Sequence, residues 1–152
     1  MTKEFFVQEI AAHSGMLYRV AFMILRNNEA CKDALQDAAL KAWEKRSTLR
    51  DEQLFRTWIT RILINVCYDT RRKSRRVVFL EDIPEPSAPP HDPTFALVLN
   101  TLPDKLRLPL MLCYMEGMSY EEAAAALHIP LTTLRSRIHR AKKELRKELD
   151  TE

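Results

Sequence analysis

The chain is short of the residues on which several classes of fold and function depend. Only two of its 152 residues are glycine. Strand-rich folds with many tight hairpins draw on glycine for their turns, so its scarcity argues against them. Cys31, Cys67 and Cys113 are far apart and odd in number, and no CxxC pair exists. Neither a disulfide framework nor a zinc site is expected; the three read as small buried apolar residues in a reducing cytoplasm. No apolar run approaches the roughly 20 residues of a membrane span. The amino-terminal stretch MTKEFFVQEIAAHSG carries charges through its first turns and has no secretory apolar core. A cytoplasmic protein without membrane insertion is therefore expected. A P-loop lysine motif and a Ser/His/Asp order are also missing, and His13, His91, His128 and His139 are scattered. No enzyme, cofactor or metal centre is expected from these residues.

Charge of one sign is missing from one stretch of the chain. Residues 77–104 hold no Lys or Arg against 5 Asp/Glu. Residues 1–76 hold 15 Lys/Arg against 9 Asp/Glu, and residues 105–152 hold 9 against 7. The net charge of +3 thus conceals a basic block, an acidic block and a mildly basic block. Basic blocks favour phosphate backbones, whereas the acidic block is repelled by them. Prolines at 84, 86, 89, 90 and 93 forbid a regular helix over 77–93. That stretch reads as a linker.

What is present is helical period. Nearly every apolar stretch recurs at steps of three and four, which predicts an all-α protein of two small helical domains, 1–76 and 94–152, joined by the Pro-rich acidic linker 77–93. Helices are expected over 3–25, with an interruption near Ser14-Gly15, over 29–46 with Asn28 as cap, and over 52–72. A short helix is expected at 94–101, and Pro103 opens another that stops before Gly117.

In the second helix Ala30, Ala34, Ala38 and Ala42, with Cys31, Leu35, Ala39 and Trp43, form the side to be buried. Asp33, Gln36, Asp37, Leu40 and Glu44 lie opposite. Such an acidic face is ordinarily solvated, with Leu40 one of many scattered exposed apolar residues, though it also suits a basic protein partner. The third helix is expected to bury Phe55, Trp58, Ile59, Ile62, Leu63 and Val66. Thr57, Arg61, Asn65, Tyr68 and Arg72 project the other way and lead into the basic run RRKSRR at 71–76. Aromatic, amide and guanidinium groups on one face fit single-stranded nucleic acid; local packing explains Asn65 and Tyr68 equally well.

The run GMSYEEAAAALHIPLTTLRSRIHRAKKELRKEL, 117–149, reads as a helix-turn-helix. Ser119 and Glu122 form a capping box, and His128-Ile129-Pro130 breaks the chain before a second helix. Leu134, Ile138, Ala141, Leu145 and Leu149 share its apolar face. The other face carries Thr132, Ser136, His139, Arg140 and Lys143. A helix of this kind can enter a major groove, or can be a surface helix with a solvated charged face.

Three segments in this order, LYRVAFMILRNNEACKDALQDAALKAW (17–43), FRTWITRILINVCYDTRRKSRR (55–76) and the helix-turn-helix run, resemble the extracytoplasmic-function (ECF) group of bacterial RNA polymerase sigma factors of the sigma-70 family. The resemblance rests on the DxxQD of Asp33, Gln36 and Asp37, the FRTW of 55–58 and the TLRSRIHRA of 133–141 together. It implies a region 2 bundle at 1–76 and a region 4 helix-turn-helix at 94–152. It implies that Asp33, Gln36, Asp37 and Leu40 dock on core RNA polymerase. Arg61, Asn65, Tyr68 and Arg72 would open and read the minus-ten element of promoter DNA, with a flipped base captured beside the loop 47–55. Thr132, Arg135, Ser136, His139, Arg140 and Lys143 would face the duplex minus-thirty-five element.

The resemblance further implies an anti-sigma factor as partner, a monomer when free, and a linker whose Glu81, Asp82, Glu85 and Asp92 mimic phosphates in a basic channel. Fully extended, 17 residues reach about 56 Å, more than a DNA turn of about 34–36 Å. His128 and Thr132 stand where the family usually has glycine, and Ala38-Ala39 where a bulkier apolar pair is frequent. Two other readings fit the residues alone: a dimeric DNA-binding regulator using only the carboxy-terminal helices, and a helical scaffold that occupies polymerase without starting transcription.

Overall fold

The computed structural model describes residues 1–74 and 97–150. Among the described residues there is no strand, as the glycine-poor, helically periodic sequence requires. The chain divides into two compact units, Met1–Ser87 and Ala88–Glu152. The expected linker 77–93 lies outside the described residues.

The amino-terminal unit packs three helices, α1 (Lys3–Leu25), α2 (Asn28–Glu44) and α3 (Phe55–Ser74), each against the other two. Thr2 caps α1 by accepting from the Phe5 amide. The interruption expected near Ser14-Gly15 does not occur. The Ser14 hydroxyl donates back to the Ala11 carbonyl at 2.9 Å, and Met16 and Leu17 beyond it are buried. That burial offsets the roughly 1 kcal/mol by which a helical glycine is disfavoured.

The cap of α2 is Asn27, not Asn28: its side chain accepts from the Ala30 amide at 2.8 Å. Asn28 enters the first turn and accepts a hydrogen bond from the Tyr18 hydroxyl, tying α2 back to α1. Between α2 and α3 the chain makes two single turns of 3-10 helix, Arg46–Thr48 and Glu52–Leu54. Helix α3 therefore starts at Phe55, three residues later than expected, because Asp51 caps the second short turn through the Gln53 amide.

Cys31, Ala34, Ala38 and Ala42 from α2 are buried together with Phe6, Met16, Leu17, Val20, Ala21 and Ile24 from α1. Ala30, Leu35, Ala39 and Trp43 are only half-buried. From α3 the core takes Phe55, Ile59, Leu63, Ile64, Val66 and Cys67. Trp58 and Ile62 are half-buried, Cys67 is inside as expected of a small apolar residue, and Thr60 and Ile64 join the core beyond the expected set. Thr60 is fully buried because its hydroxyl donates to the Arg56 carbonyl at 2.6 Å, which satisfies the polar atom within its own helix.

The carboxy-terminal unit packs α4 (Asp104–Tyr114), α5 (Tyr120–Leu127) and α6 (Leu131–Asp150) mutually. Pro103 is the N-cap of α4 and not its first helical residue. Of the short helix expected at 94–101, the described part is helical at 97–99. After α4, Gly117 takes φ +71°, a left-handed value at which glycine carries no steric cost. The capping box then forms as the sequence requires: Glu122 N donates to Ser119 Oγ at 3.0 Å, and Ser119 N donates to Glu122 Oε1 at 3.1 Å.

His128 closes α5 at φ 56°, ψ 49°, and Ile129 N bonds back to the Ala124 carbonyl at 3.0 Å. It thus holds the left-handed cap position that suits glycine. Substitution His128→Gly should stabilise this unit by about 0.5–1 kcal/mol, the relief of left-handed strain less the extra chain entropy. Urea denaturation of the two proteins measures this, and equal or lower stability would contradict it.

All three cysteines are free thiols; Cys31 and Cys67 are buried and Cys113 half-buried. Burial pushes the Cys31 thiol up from 9.0 to about 11, and burial pushes Cys67 up to about 12. Both therefore stay protonated in the fold while the unfolded chain ionises, so their contribution to stability is complete below pH 9.0 and disappears as pH rises towards about 11 to 12. In alkylation with iodoacetamide near the lower bound of that window, Cys113 should react first, with Cys31 and Cys67 protected until the chain unfolds. Mass spectrometry of the labelled peptides checks the order.

Candidate functional site

Three helix faces remain once the cores are filled. On α2 the burial of Cys31, Ala34, Ala38 and Ala42 turns Asp33, Gln36, Asp37 and Leu40 outward, and all four are exposed. Leu40 is 65% exposed, and it shares this side of the helix with the two carboxylates and the amide. The face combines negative charge with one apolar contact, which suits a basic protein surface carrying a small hydrophobic recess.

On α3 Arg61, Asn65, Tyr68 and Arg72 follow one another at steps of four, three and four and so form one stripe. Arg61, Asn65 and Arg72 are exposed; Tyr68 is half-buried. The Arg71 guanidinium lies 4.9 Å from the centre of the Tyr68 ring, so one ring face already carries a cation. Arg72 is ion-paired with Asp69 one turn back. Both partners are largely exposed, and such pairs contribute little in water, so the guanidinium can exchange its carboxylate for a phosphate at small cost. Arg71, Arg72 and Lys73 occupy the last turn of α3, where the negative end of the helix dipole favours them.

On α6 Leu134, Ile138 and Ala141 are buried, and Leu145 half-buried. Leu149, expected on the same buried stripe, is 59% exposed, because the last turns of the helix run past the end of its own unit's core. Thr132, Arg135, Ser136, His139, Arg140 and Lys143 are all exposed, at spacings that place them along one side. Two hydroxyls, three cations and an imidazole thus share a rigid ridge whose rotation is fixed by the three buried residues opposite.

Several contacts that shape these faces have no sequence signal. Lys142 Nζ sits 4.8 Å from the centre of the Tyr114 ring, and the Tyr114 and Tyr120 hydroxyls are 3.4 Å apart. The hydrogen bond with Lys142 draws the Tyr114 hydroxyl pKa down and raises that of the lysine. These three residues come from three different helices, so only tertiary packing assembles them. Among the described residues no three His, Cys, Asp or Glu side chains converge as metal ligands, and no helix is long and apolar enough to cross a membrane.

Comparison with known proteins places the chain in a family. Residues 10–77 match the family model for sigma-70 region 2, and residues 94–145 that for sigma-70 region 4. The chain is 32% identical over 146 residues to ECF RNA polymerase sigma factor SigM of Mycobacterium tuberculosis, covering 92% of this chain and 74% of that one. It is 30% identical over 152 residues to ECF RNA polymerase sigma factor SigE of Mycolicibacterium smegmatis, covering 90% of this chain but only 58% of that relative's length. Against ECF RNA polymerase sigma factor SigW of Bacillus subtilis the identity is 27%, covering 95% and 88% of the two chains. Among solved structures, the sigma factor RpoE of Bartonella quintana, crystallised with the anti-sigma factor NepR, matches with a TM-score of 0.76 and 28% identity over 95% of this chain and 96% of that one. CnrH in complex with the cytosolic domain of CnrY matches with a TM-score of 0.70 and 27% identity over 97% and 88%. Two region models in the expected order, together with these relatives, show that the chain belongs to the ECF group of the sigma-70 family of RNA polymerase sigma factors.

Proposed function

We propose that this chain is an alternative initiation factor that binds core RNA polymerase, carries it to a two-part promoter and helps open the downstream part. The observation that supports this most directly is the α6 ridge of Thr132, Arg135, Ser136, His139, Arg140 and Lys143, exposed along one side of a helix pinned by Leu134, Ile138 and Ala141. A ridge of that composition fits the major groove of the upstream element. Arginine on guanine is its strongest available contact, at roughly 1–3 kcal/mol against a wrong base. On the amino-terminal unit, Arg61, Asn65, Tyr68 and Arg72 would hold the separated downstream strand. The opening energy would then come from capture of unpaired bases, and the chain itself would catalyse nothing. Asp33, Gln36, Asp37 and Leu40 would dock on the polymerase. The RpoE and CnrH complexes support an anti-sigma factor as a further partner. The working compartment is the cytoplasm, where polymerase and promoter meet, and the free chain is a monomer.

Run-off transcription with core polymerase, coupled to sequencing of the transcripts, tests the proposal; polymerase that ignores the chain would refute it. Asp37→Arg should lower affinity for core polymerase by about tenfold or more, by placing a cation against a basic partner. A pull-down reads the loss, and circular dichroism should show the helices unchanged, since Asp37 is exposed. Arg140→Ala should lower the preference for the upstream element over unrelated duplex by about tenfold at fixed salt. Equal loss on both DNAs would make Arg140 a phosphate contact only.

A further inference from the structure

Helix α3 holds a single carboxylate. Over 55–74 its charged residues are Arg56, Arg61, Arg71, Arg72 and Lys73 against Asp69 alone. Aspartate is one of the weaker helix formers, and in the carboxy-terminal half of a helix a negative charge gains nothing from the dipole. Local helix stability therefore does not account for Asp69. The residue lies four positions after Asn65 and three before Arg72, so it borders the stripe of Arg61, Asn65, Tyr68 and Arg72.

In the chain alone, both arginines at the foot of this stripe already have internal partners. Arg72 Nη2 donates to Asp69 Oδ1, and the Arg71 guanidinium lies 4.9 Å from the centre of the Tyr68 ring. The ion pair is open to water, with the Asp69 side chain 45% and the Arg72 side chain 73% exposed. The guanidinium can therefore exchange its carboxylate for a phosphate, but the carboxylate does not leave. It stays within one helical turn of the incoming phosphate and repels it. Duplex DNA carries one charge per about 1.7 Å of axis on a stiff frame, so it cannot avoid that repulsion. A separated strand is flexible and has about half the charge density, so its phosphates can pass Asp69 while a base stacks on Tyr68.

We infer that Asp69 is a discriminating residue: its carboxylate occupies Arg72 and repels duplex phosphates, so that the α3 stripe accepts a separated strand in preference to closed DNA. This rests on the reading of that stripe as the strand-holding face of a promoter-opening factor. Specificity of this kind comes from a repulsive element aimed at the unwanted partner. Closed duplex is in vast excess in a genome, and a purely basic α3 would bind it wherever the chain met it.

The experiment measures binding of the full chain to labelled DNA by fluorescence anisotropy over a series of salt concentrations. One probe is a duplex of unrelated sequence; the other is the non-template single strand of the downstream element of a promoter identified by transcript sequencing. Asp69→Asn removes the charge and Asp69→Glu keeps it. Glu4→Gln makes the same change of net charge in the first turn of α1, at the opposite end of the unit, where Glu4 is exposed. Asp69→Asn should raise affinity for the duplex by about three- to tenfold, the worth of one nearby charge in water. Its salt dependence should steepen by about 0.9 in log–log slope, one further phosphate contact. Affinity for the single strand should change by less than about twofold, and Asp69→Glu and Glu4→Gln should keep the wild-type values on both probes. With core polymerase on that promoter, Asp69→Asn should lower transcript yield by about three- to tenfold when unrelated duplex is in excess, and by less than about twofold without it. An unchanged duplex affinity, an equal gain on both probes, or a gain matched by Glu4→Gln would overturn the proposal while leaving the promoter-opening function standing. A wild-type chain that directs no transcripts would instead remove the function on which the proposal rests.

Discussion

Phe55 joins the parts of the amino-terminal unit that would otherwise move independently. It is 1% exposed, at the point where the irregular connection ends and α3 begins. Its ring meets Phe5 and Phe6 edge-on at 5.9 and 6.0 Å, stacks against His13 at 6.2 Å and tilts against Trp58 at 5.6 Å. The start of α1 is thereby fastened to the start of α3, and through Phe6 and Trp43 to the end of α2. Aromatic pairs of this kind contribute about 0.5–1.5 kcal/mol each beyond their buried area. The orientation of α3, and with it the direction of the Arg61 to Arg72 stripe, depends on this cluster more than on any cap or ion pair.

The carboxy-terminal unit solves the same problem with less material. Its α5 has eight residues, too few to be stable alone, and is defined at both ends by local backbone chemistry. The Ser119–Glu122 capping box fixes its start and the left-handed His128 its end. Burial of Ala123, Ala124 and Ala126 lets it lie close against its neighbours. Small side chains here allow α6 to rest on both α4 and α5 through Leu134, Ile138 and Ala141, so that the polar ridge opposite is aimed by three residues of modest size. Both units thus present a polar stripe by burying the stripe behind it.

The limits of periodicity are visible at particular positions. Helical spacing identified Leu149 as a member of the buried stripe, yet it is exposed, because spacing reports which side a residue occupies and not where the neighbouring helices stop. The same pattern passed over Thr60, whose polar label hid its suitability for the interior, while Cys67 is buried as the small apolar residue it was expected to be. Thr60 satisfies its hydroxyl on its own helix, and a buried protonated thiol behaves as a small apolar group. The cap of α2 moved by one residue between two adjacent asparagines, a choice settled by Tyr18, ten positions away from Asn28 in sequence.

By itself the sequence determined the all-helical class, the capping box, the stop at Gly117 and the outward side of α2. Each of these is a local property, set by backbone sterics or by a period of 3.6 residues. It also carries enough of the family's pattern to suggest the three faces. Tertiary structure alone decided how the connection between α2 and α3 is shaped, which side chains pin it, and how Tyr114, Tyr120 and Lys142 come together. Those arrangements depend on contacts between residues distant in sequence, such as Phe6 with Trp43, or on bonds across an irregular turn, such as Thr48 with Trp58. No periodicity encodes them, because their geometry exists only after the helices have packed.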